Sequence, residues 1–289
     1  MPQYRLIAID LDGTLLDENS RVPPENARAI RQAQLNGAQV ALCTGRNYLD
    51  AGWYSEQLLA PADWAVTANG ADVRPLPQGE PVLFAGLDDA ALAALQAVCA
   101  AFGTDPCLYT ATHMYYGWEF EKFVRTLRET YGHDIFGGQQ RENLIFVQTE
   151  DAWREVLRCE RGRITKAILY HGDTAVVDEM TAALDRTGLF ETAPSVMYGG
   201  KLKNVEVNSR GVHKGRGLEA LAGRLGCGME GVLALGDSDN DLSMLRMAGL
   251  GVAMENALPS VRAAADAVTA SNLACGVARA IEKYVLKGM

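Results

Sequence analysis

Leu6-Ile7-Ala8-Ile9-Asp10-Leu11-Asp12-Gly13-Thr14 decides how the rest of the chain is read. Four apolar residues that run directly into an acid have the pattern of a short strand buried on both faces of a parallel sheet. In an open sheet of that kind ligands bind beyond the carboxyl ends of the strands, which is where Asp10 and Asp12 stand. Working outward, Pro23 and Pro24 open a helical pattern carrying Ala27, Ile30 and Ala33, and Gly37 suits its C-terminal cap. Residues 40–43 and 64–67 read as a second and a third buried strand, and Asn69-Gly70 as a tight turn. Strand, helix, strand, helix, strand at this spacing implies right-handed crossovers and a parallel sheet, hence an α/β fold.

The pattern changes at Pro75, Pro77, Gly79 and Pro81, a stretch with the composition of a linker. Beyond it come an Ala/Leu helix over 88–102 and an aromatic stretch from Tyr109 to Phe123. Further helical patterns follow near 151–159 and 173–186, with strands at 164–170 and 204–207. Mixed elements joined by longer loops predict a separate α+β unit. After Gly211 the first style returns, with a helix over 213–225, strands at 232–235 and 250–254, and a last helix at 277–285. The expected organisation is a Rossmann-like core formed by residues 1–81 and 208–289, interrupted by an inserted α+β domain at 82–207.

With 289 residues, 48% of them hydrophobic, the composition is that of an ordinary globular protein. The 36 acidic and 27 basic side chains leave a net charge of −9, which argues against gripping a nucleic-acid backbone or an anionic membrane. The longest stretch without a charged residue, 90–104, is shorter than the ~20 residues that span a bilayer. Only residues 6–9 are continuously apolar near the start, so no secretory leader is expected. The six scattered cysteines show no metal-like spacing and are expected to be buried, reduced thiols of a cytoplasmic protein. His133 and His171 have no partner pattern and read as ordinary histidines. Monomer and homodimer are both compatible with the sequence.

A second acidic cluster, Gly236-Asp237-Ser238-Asp239-Asn240-Asp241, also follows a strand. Oxygen donors without nearby His or Cys suit a hard cation, and so few dedicated ligands favour Mg²⁺ over Ca²⁺. Thr44-Gly45-Arg46 follows the second strand, where a hydroxyl and an unhindered backbone N–H can approach an anion. Lys214 opens a helix just ahead of the second acidic cluster. Acidic pair, Thr/Gly, lysine and acidic cluster, in that order, form one constellation for a phosphate and a metal.

These motifs resemble those of haloacid dehalogenase superfamily phosphatases, specifically the Cof-type branch with a large inserted cap. The resemblance runs through DLDGT at 10–14, TGR at 44–46, GVHKG at 211–215 and GDSDND at 236–241. It extends to Asn69-Gly70, Met244 and Asn256-Ala257, and departs at Leu273-Ala274-Cys275, where relatives commonly carry acids. It implies that Asp10 is the nucleophile and Asp12 the general acid and base. It implies phosphate contacts from Thr44, Gly45, Lys214, Asn240 and Arg46. It also implies Mg²⁺ held by Asp10, Asp12 through its carbonyl, and Asp237, with Asp241 close by. Small phosphorylated metabolites, such as sugar phosphates or cofactor precursors, are the implied substrates. The cap would select among them, with Asn69 of the core and His113, Tyr115, Tyr116 and Trp118 of the insert as candidate contacts. Two alternatives stand beside this expectation: a phosphotransferase or phosphomutase on the same scaffold, and a catalytically silent metabolite-binding protein.

Overall fold

Apolar runs that end at Asp, Thr or Gly become the central strands of the protein. The computed structural model describes residues 3–132 and 143–286; His133 lies outside the described residues. The chain divides into two compact units, Met1–Phe84 with His213–Met289, and Ala85–Val212. The first unit begins with β1 (Leu6–Ile9), α1 (Pro24–Leu35), β2 (Gln39–Cys43), α2 (Tyr48–Ser55), β3 (Trp64–Thr67), β4 (Asp72–Pro75) and β5 (Leu83–Phe84). The inserted unit carries α3 (Asp89–Phe102), β6 (Cys107–Tyr109), β7 (Met114–Tyr116), α4 (Trp118–Tyr131) and β8 (Leu144–Phe146). It continues with α5 (Glu150–Cys159), β9 (Lys166–Tyr170), α6 (Thr174–Thr187), β10 (Phe190–Met197) and β11 (Leu202–Ser209). The first unit resumes with α7 (Lys214–Leu225), β12 (Val232–Gly236), α8 (Leu242–Met247) and β13 (Leu250–Ala253). It ends with α9 (Pro259–Ala264), β14 (Ala267–Val268) and α10 (Gly276–Ile281).

Among the described residues, the first unit has an eight-stranded sheet in the order β14-β13-β12-β1-β2-β3-β4-β5. Strands β14 to β3 run parallel, and β1 lies centrally, Ile7 pairing with Leu233 on one side and Val40 on the other. Leu6, Ile7, Ala8 and Ile9 are fully buried, as a strand covered on both faces requires. The sequence misleads at Pro75–Pro81: β4 and β5 return antiparallel and extend the core sheet, so this stretch is a hairpin loop. Pro75 lies past the two-residue reach of β5, so its missing N–H costs no bond on that side.

The inserted unit has a six-stranded sheet, β10-β11-β9-β6-β7-β8, antiparallel except for β7 beside β8. Its side chains alternate between two apolar clusters. Leu108, Tyr115, Ala167, Leu169, Val205 and Val207 pack with α3 and α6. Cys107, Tyr109, Met114, Ile168 and Tyr170 pack with Phe120, Phe123, Val124 and Leu127 of α4. Asp88 caps α3 by accepting from the Ala91 N–H at 2.8 Å, and Gly103 closes it in the left-handed conformation. The cysteine expectation holds only for Cys43, Cys99 and Cys107. Cys159 is exposed and Cys227 and Cys275 are half-buried, although all six are free thiols. Cys159 ends α5, an amphipathic helix with no fully buried residue.

Candidate active site

Each acidic motif leaves the sheet at the carboxyl end of a neighbouring strand, Asp10 after β1 and Asp237 after β12. The Asp10 N–H donates to the Leu235 carbonyl at 3.0 Å, which ties the two exits together. Gly13 then turns with φ +82°, and a Cβ there would stand 2.4 Å from the Asp237 carboxylate. Glycine is therefore required both for the turn and for the approach of the second acidic loop. Thr14 donates to Asp237 Oδ1 at 2.8 Å and fixes that carboxylate.

Lys214 begins α7 and is completely buried. Its Nζ donates at 2.6 Å to Asp10 Oδ1 and at 2.6 Å to Asp241 Oδ1. His213 caps the helix by accepting from the Arg216 N–H at 3.1 Å. A Cβ on Gly70 would meet the His213 carbonyl at 2.4 Å, so the Asn69-Gly70 turn is also a close-approach point beside this helix start. The other oxygen of Asp241 accepts from the N–H groups of Asp237 and Ser238 at 2.9 and 3.0 Å. Asp241 is thus the knot of the second acidic loop.

Among the described residues, Asp10, Asp237 and Asp241 offer carboxylate oxygens within 4.8 Å of one another. Burial, then the Asp241 charge, raises the Asp10 carboxyl well above the usual carboxylate range, against the pull of Lys214. Burial and Asp241 likewise raise Asp237, to about 6. Burial opposes the charge on Lys214, but Asp10 and Asp241 outweigh it and hold the ammonium protonated. Three carboxylates facing one lysine leave an excess of negative charge, and hard oxygen donors in that surplus suit a divalent cation.

Asp12 stands apart from this group. Its half-exposed carboxylate accepts both Nε and Nη2 of Arg46, at 2.7 and 2.8 Å. Thr44 is buried, and its Oγ1 accepts from the Arg46 N–H at 3.1 Å. Asn240 donates to Asn69 Oδ1 at 3.3 Å, so these two candidates also meet. Asp10, Asp12, Thr44, Gly45, Arg46, Asn69, Lys214, Asp237, Asn240 and Asp241 therefore all lie in the first unit, on the loops just described or adjoining them.

A family model described as haloacid dehalogenase-like hydrolase matches residues 7–281. The chain belongs to the haloacid dehalogenase-like hydrolases. The hydrolase is 29% identical over 284 residues to the 5-amino-6-(5-phospho-D-ribitylamino)uracil phosphatase YcsE of Bacillus subtilis, covering 98% of this chain and 96% of that protein. It is 31% identical over 287 residues to the phosphatase YwpJ of the same organism, covering 95% and 97%. The solved structure of a haloacid dehalogenase-like hydrolase from B. subtilis matches it with a TM-score of 0.79 at 28% identity, covering 96% of this chain and 99% of that one. It is a haloacid dehalogenase superfamily phosphatase.

The candidate contacts in the inserted unit of the phosphatase do not form one cluster. Tyr115 is buried and donates to Glu160 at 2.6 Å, with His113 at 5.9 Å on the same side. Tyr116 stacks on Phe146 at 5.5 Å and belongs with the opposite cluster, where Trp118 meets the same ring edge-on. Consecutive strand residues face opposite ways, so the aromatic run is divided by the sheet. The structure also adds residues to which the sequence reading gave no role. Asn256 donates to the Gly13 carbonyl at 2.8 Å and accepts from the Asn272 N–H at 3.0 Å, while Asn272 donates to the Leu16 carbonyl at 2.9 Å. Asn256-Ala257 was legible as a motif, but its bond to Gly13 spans 243 positions and has no local signal.

Proposed function

We propose that this phosphatase hydrolyses small phosphorylated metabolites, with Mg²⁺ and through an aspartyl-phosphate on Asp10. The observation that carries the reading is the buried Lys214, 2.6 Å from both Asp10 and Asp241, with Asp237 alongside. A lysine shared by carboxylates neutralises only part of their charge, so the site accepts a phosphate dianion when further positive charge is bound.

Asp10, Asp237 and Asp241 offer the carboxylates that would hold Mg²⁺, and the family resemblance adds the Asp12 carbonyl. Asp241 also organises the loop and Lys214 through both of its oxygens. Bound Mg²⁺ supplies charge neutralisation for the phosphate and for Asp10. Asp10 attacks phosphorus as the bond to the ester oxygen breaks, and that oxygen takes a proton from Asp12. Water then gives a proton to Asp12 and attacks phosphorus, and the bond to Asp10 breaks with release of inorganic phosphate. Thr44 and the Gly45 N–H take phosphate oxygens, assisted by Asn240. Phosphoryl transfer asks chiefly for this kind of positioning and charge compensation.

Relatives named as ribitylaminouracil phosphatases support phosphorylated cofactor precursors as one substrate group, beside sugar phosphates. The inserted unit is the proposed source of selection. A phosphate-release screen over phosphorylated metabolites, with and without Mg²⁺ and ranked by kcat/KM, tests the reading. Release with Mg²⁺ and no added acceptor is expected; release only with an acceptor or a bisphosphate activator would favour a phosphotransferase.

A further inference from the structure

We propose that Arg46 is the positioning residue for Asp12, a role resting on the acid and base function assigned to Asp12 above. Asp12 lies on a loop with its side chain 55% exposed, where a carboxylate ordinarily samples several rotamers. Here both of its oxygens are fixed by the guanidinium, through Nε at 2.7 Å and Nη2 at 2.8 Å. This two-point fork sets the plane of the carboxylate as well as its position, which a single ammonium cannot do.

Arg46 is itself held from several sides. Its N–H donates to Thr44 Oγ1 at 3.1 Å, and its carbonyl accepts from the Ala68 N–H at 2.8 Å. Its guanidinium carbon lies 5.1 Å from the centre of the Tyr54 ring, within cation–π range. Burial opposes the charge on Arg46, and the Asp12 carboxylate more than offsets it. The side chain expected to reach phosphate is therefore spent on the second aspartate. Thr44, whose hydroxyl orients the Arg46 backbone, joins the phosphate loop to the same device.

The chemical consequence lies in the two proton transfers. Asp12 takes up a proton as substrate binds and keeps its hold on the guanidinium through the unprotonated oxygen. As the phosphorus–ester bond breaks, that proton passes to the departing oxygen; as water attacks, its proton passes back to Asp12 and restores the acid. Both need the carboxylate at one fixed place, and prior fixing removes an orientational cost from each barrier. An alkyl phosphate, with a poor leaving group, depends on the first transfer. p-Nitrophenyl phosphate does not, because nitrophenolate departs unprotonated.

Arg46→Ala, Arg46→Lys, Asp12→Asn and the double variant Asp12→Asn with Arg46→Ala are compared on a sugar phosphate and on p-nitrophenyl phosphate. Arg46→Ala is expected to lower kcat on the sugar phosphate about 10²-fold, the usual worth of general acid–base catalysis, with KM little changed. The double variant is expected to be no slower than Asp12→Asn. A rapid burst of nitrophenolate survives in Arg46→Ala while the steady-state rate falls, and added guanidinium ion restores the rate saturably. Arg46→Lys recovers only part of it. An increase in KM and in the inhibition constant of inorganic phosphate, with kcat kept, overturns the proposal and makes Arg46 a phosphate ligand. A slow Asp12→Asn beside a fully active Arg46→Ala overturns the clamp alone. Full activity in Asp12→Asn removes the reading on which the clamp rests.

Discussion

Among the described residues, each unit buries one lysine, and the two are solved differently. Lys166, in β9 of the inserted unit, meets Glu206 at 3.0 Å and lies 4.6 Å from the centre of the Tyr109 ring. Its side chain is 2% exposed, whereas that of Glu206 is 22% exposed and keeps some water. Lys214, in the first unit, is shared by two buried carboxylates with a third beside them. The first arrangement sets the ammonium against a carboxylate that keeps some water and against a ring face, which suits a structural contact. The second crowds carboxylates in a buried place, where a bound proton or a bound cation relieves the surplus charge. On the proposed function, the difference separates a lysine that holds a sheet together from one that serves chemistry.

The sharpest way to break this comparison is to remove the group that the surplus charge surrounds. Asp10→Asn keeps the shape of the side chain but removes the proposed nucleophile, and turnover is expected to fall by about 10⁴ or more. Persistent Mg²⁺-dependent hydrolysis of p-nitrophenyl phosphate by a purified, folded Asp10→Asn would show that the cluster is not built around a nucleophile. Next, the two lysines are exchanged for methionine. Lys214→Met is expected to cost about 10²–10³ in kcat, the scale for losing one preorganised charge stabiliser. Lys166→Met should instead lower stability, by about 3 kcal/mol for a broken buried pair whose remaining partner is partly hydrated. Its kcat on p-nitrophenyl phosphate should stay within about twofold. Equal losses of kcat in both variants would erase the distinction.

Much of the first unit was legible because its signals are local. Leu6 to Ile9 announces a buried strand, and Asp10, Thr44 and Asp237 each stand at the end of one. Lys214 carried no such signal. Its burial follows from α7 packing with Gly215 and Gly217 against Ser243 and Gly70, contacts between positions far apart in the chain. The Arg46 to Asp12 fork was hidden for the same reason, since the partners stand 34 positions apart and each was read toward the phosphate chemistry and not toward the other. The inserted unit was read less well. Its aromatic run looked like one feature, yet strand alternation sends Tyr115 toward Glu160 and Tyr116 toward Phe146. The hairpin of β4 and β5 was missed because prolines that mark linkers also suit the margins of a sheet.

The smallest expected effect tests the surplus charge without measuring activity. A carboxyl raised in the folded state contributes stability below its unfolded pKa and loses it as pH rises through the folded value. For Asp237 that window runs from about 4, the ordinary value for Asp, to about 6. In metal-free protein, then, this site weighs against the fold at pH 8 and much less at pH 5. A cation that binds the ionised carboxylates reverses the penalty and must displace protons at the lower pH. Adding Mg²⁺ should therefore raise Tm by a few degrees at pH 8, where about 1 kcal/mol moves Tm by roughly 2–4 °C in chains of 150–250 residues, and by less at pH 5. Asp237→Asn should flatten that difference. The same Mg²⁺ response in Lys166→Met would keep the effect local to the unbalanced lysine site. An Mg²⁺ shift of equal size at both pH values would mean that the carboxylates are already balanced, and the contrast between the two lysines would lose its basis.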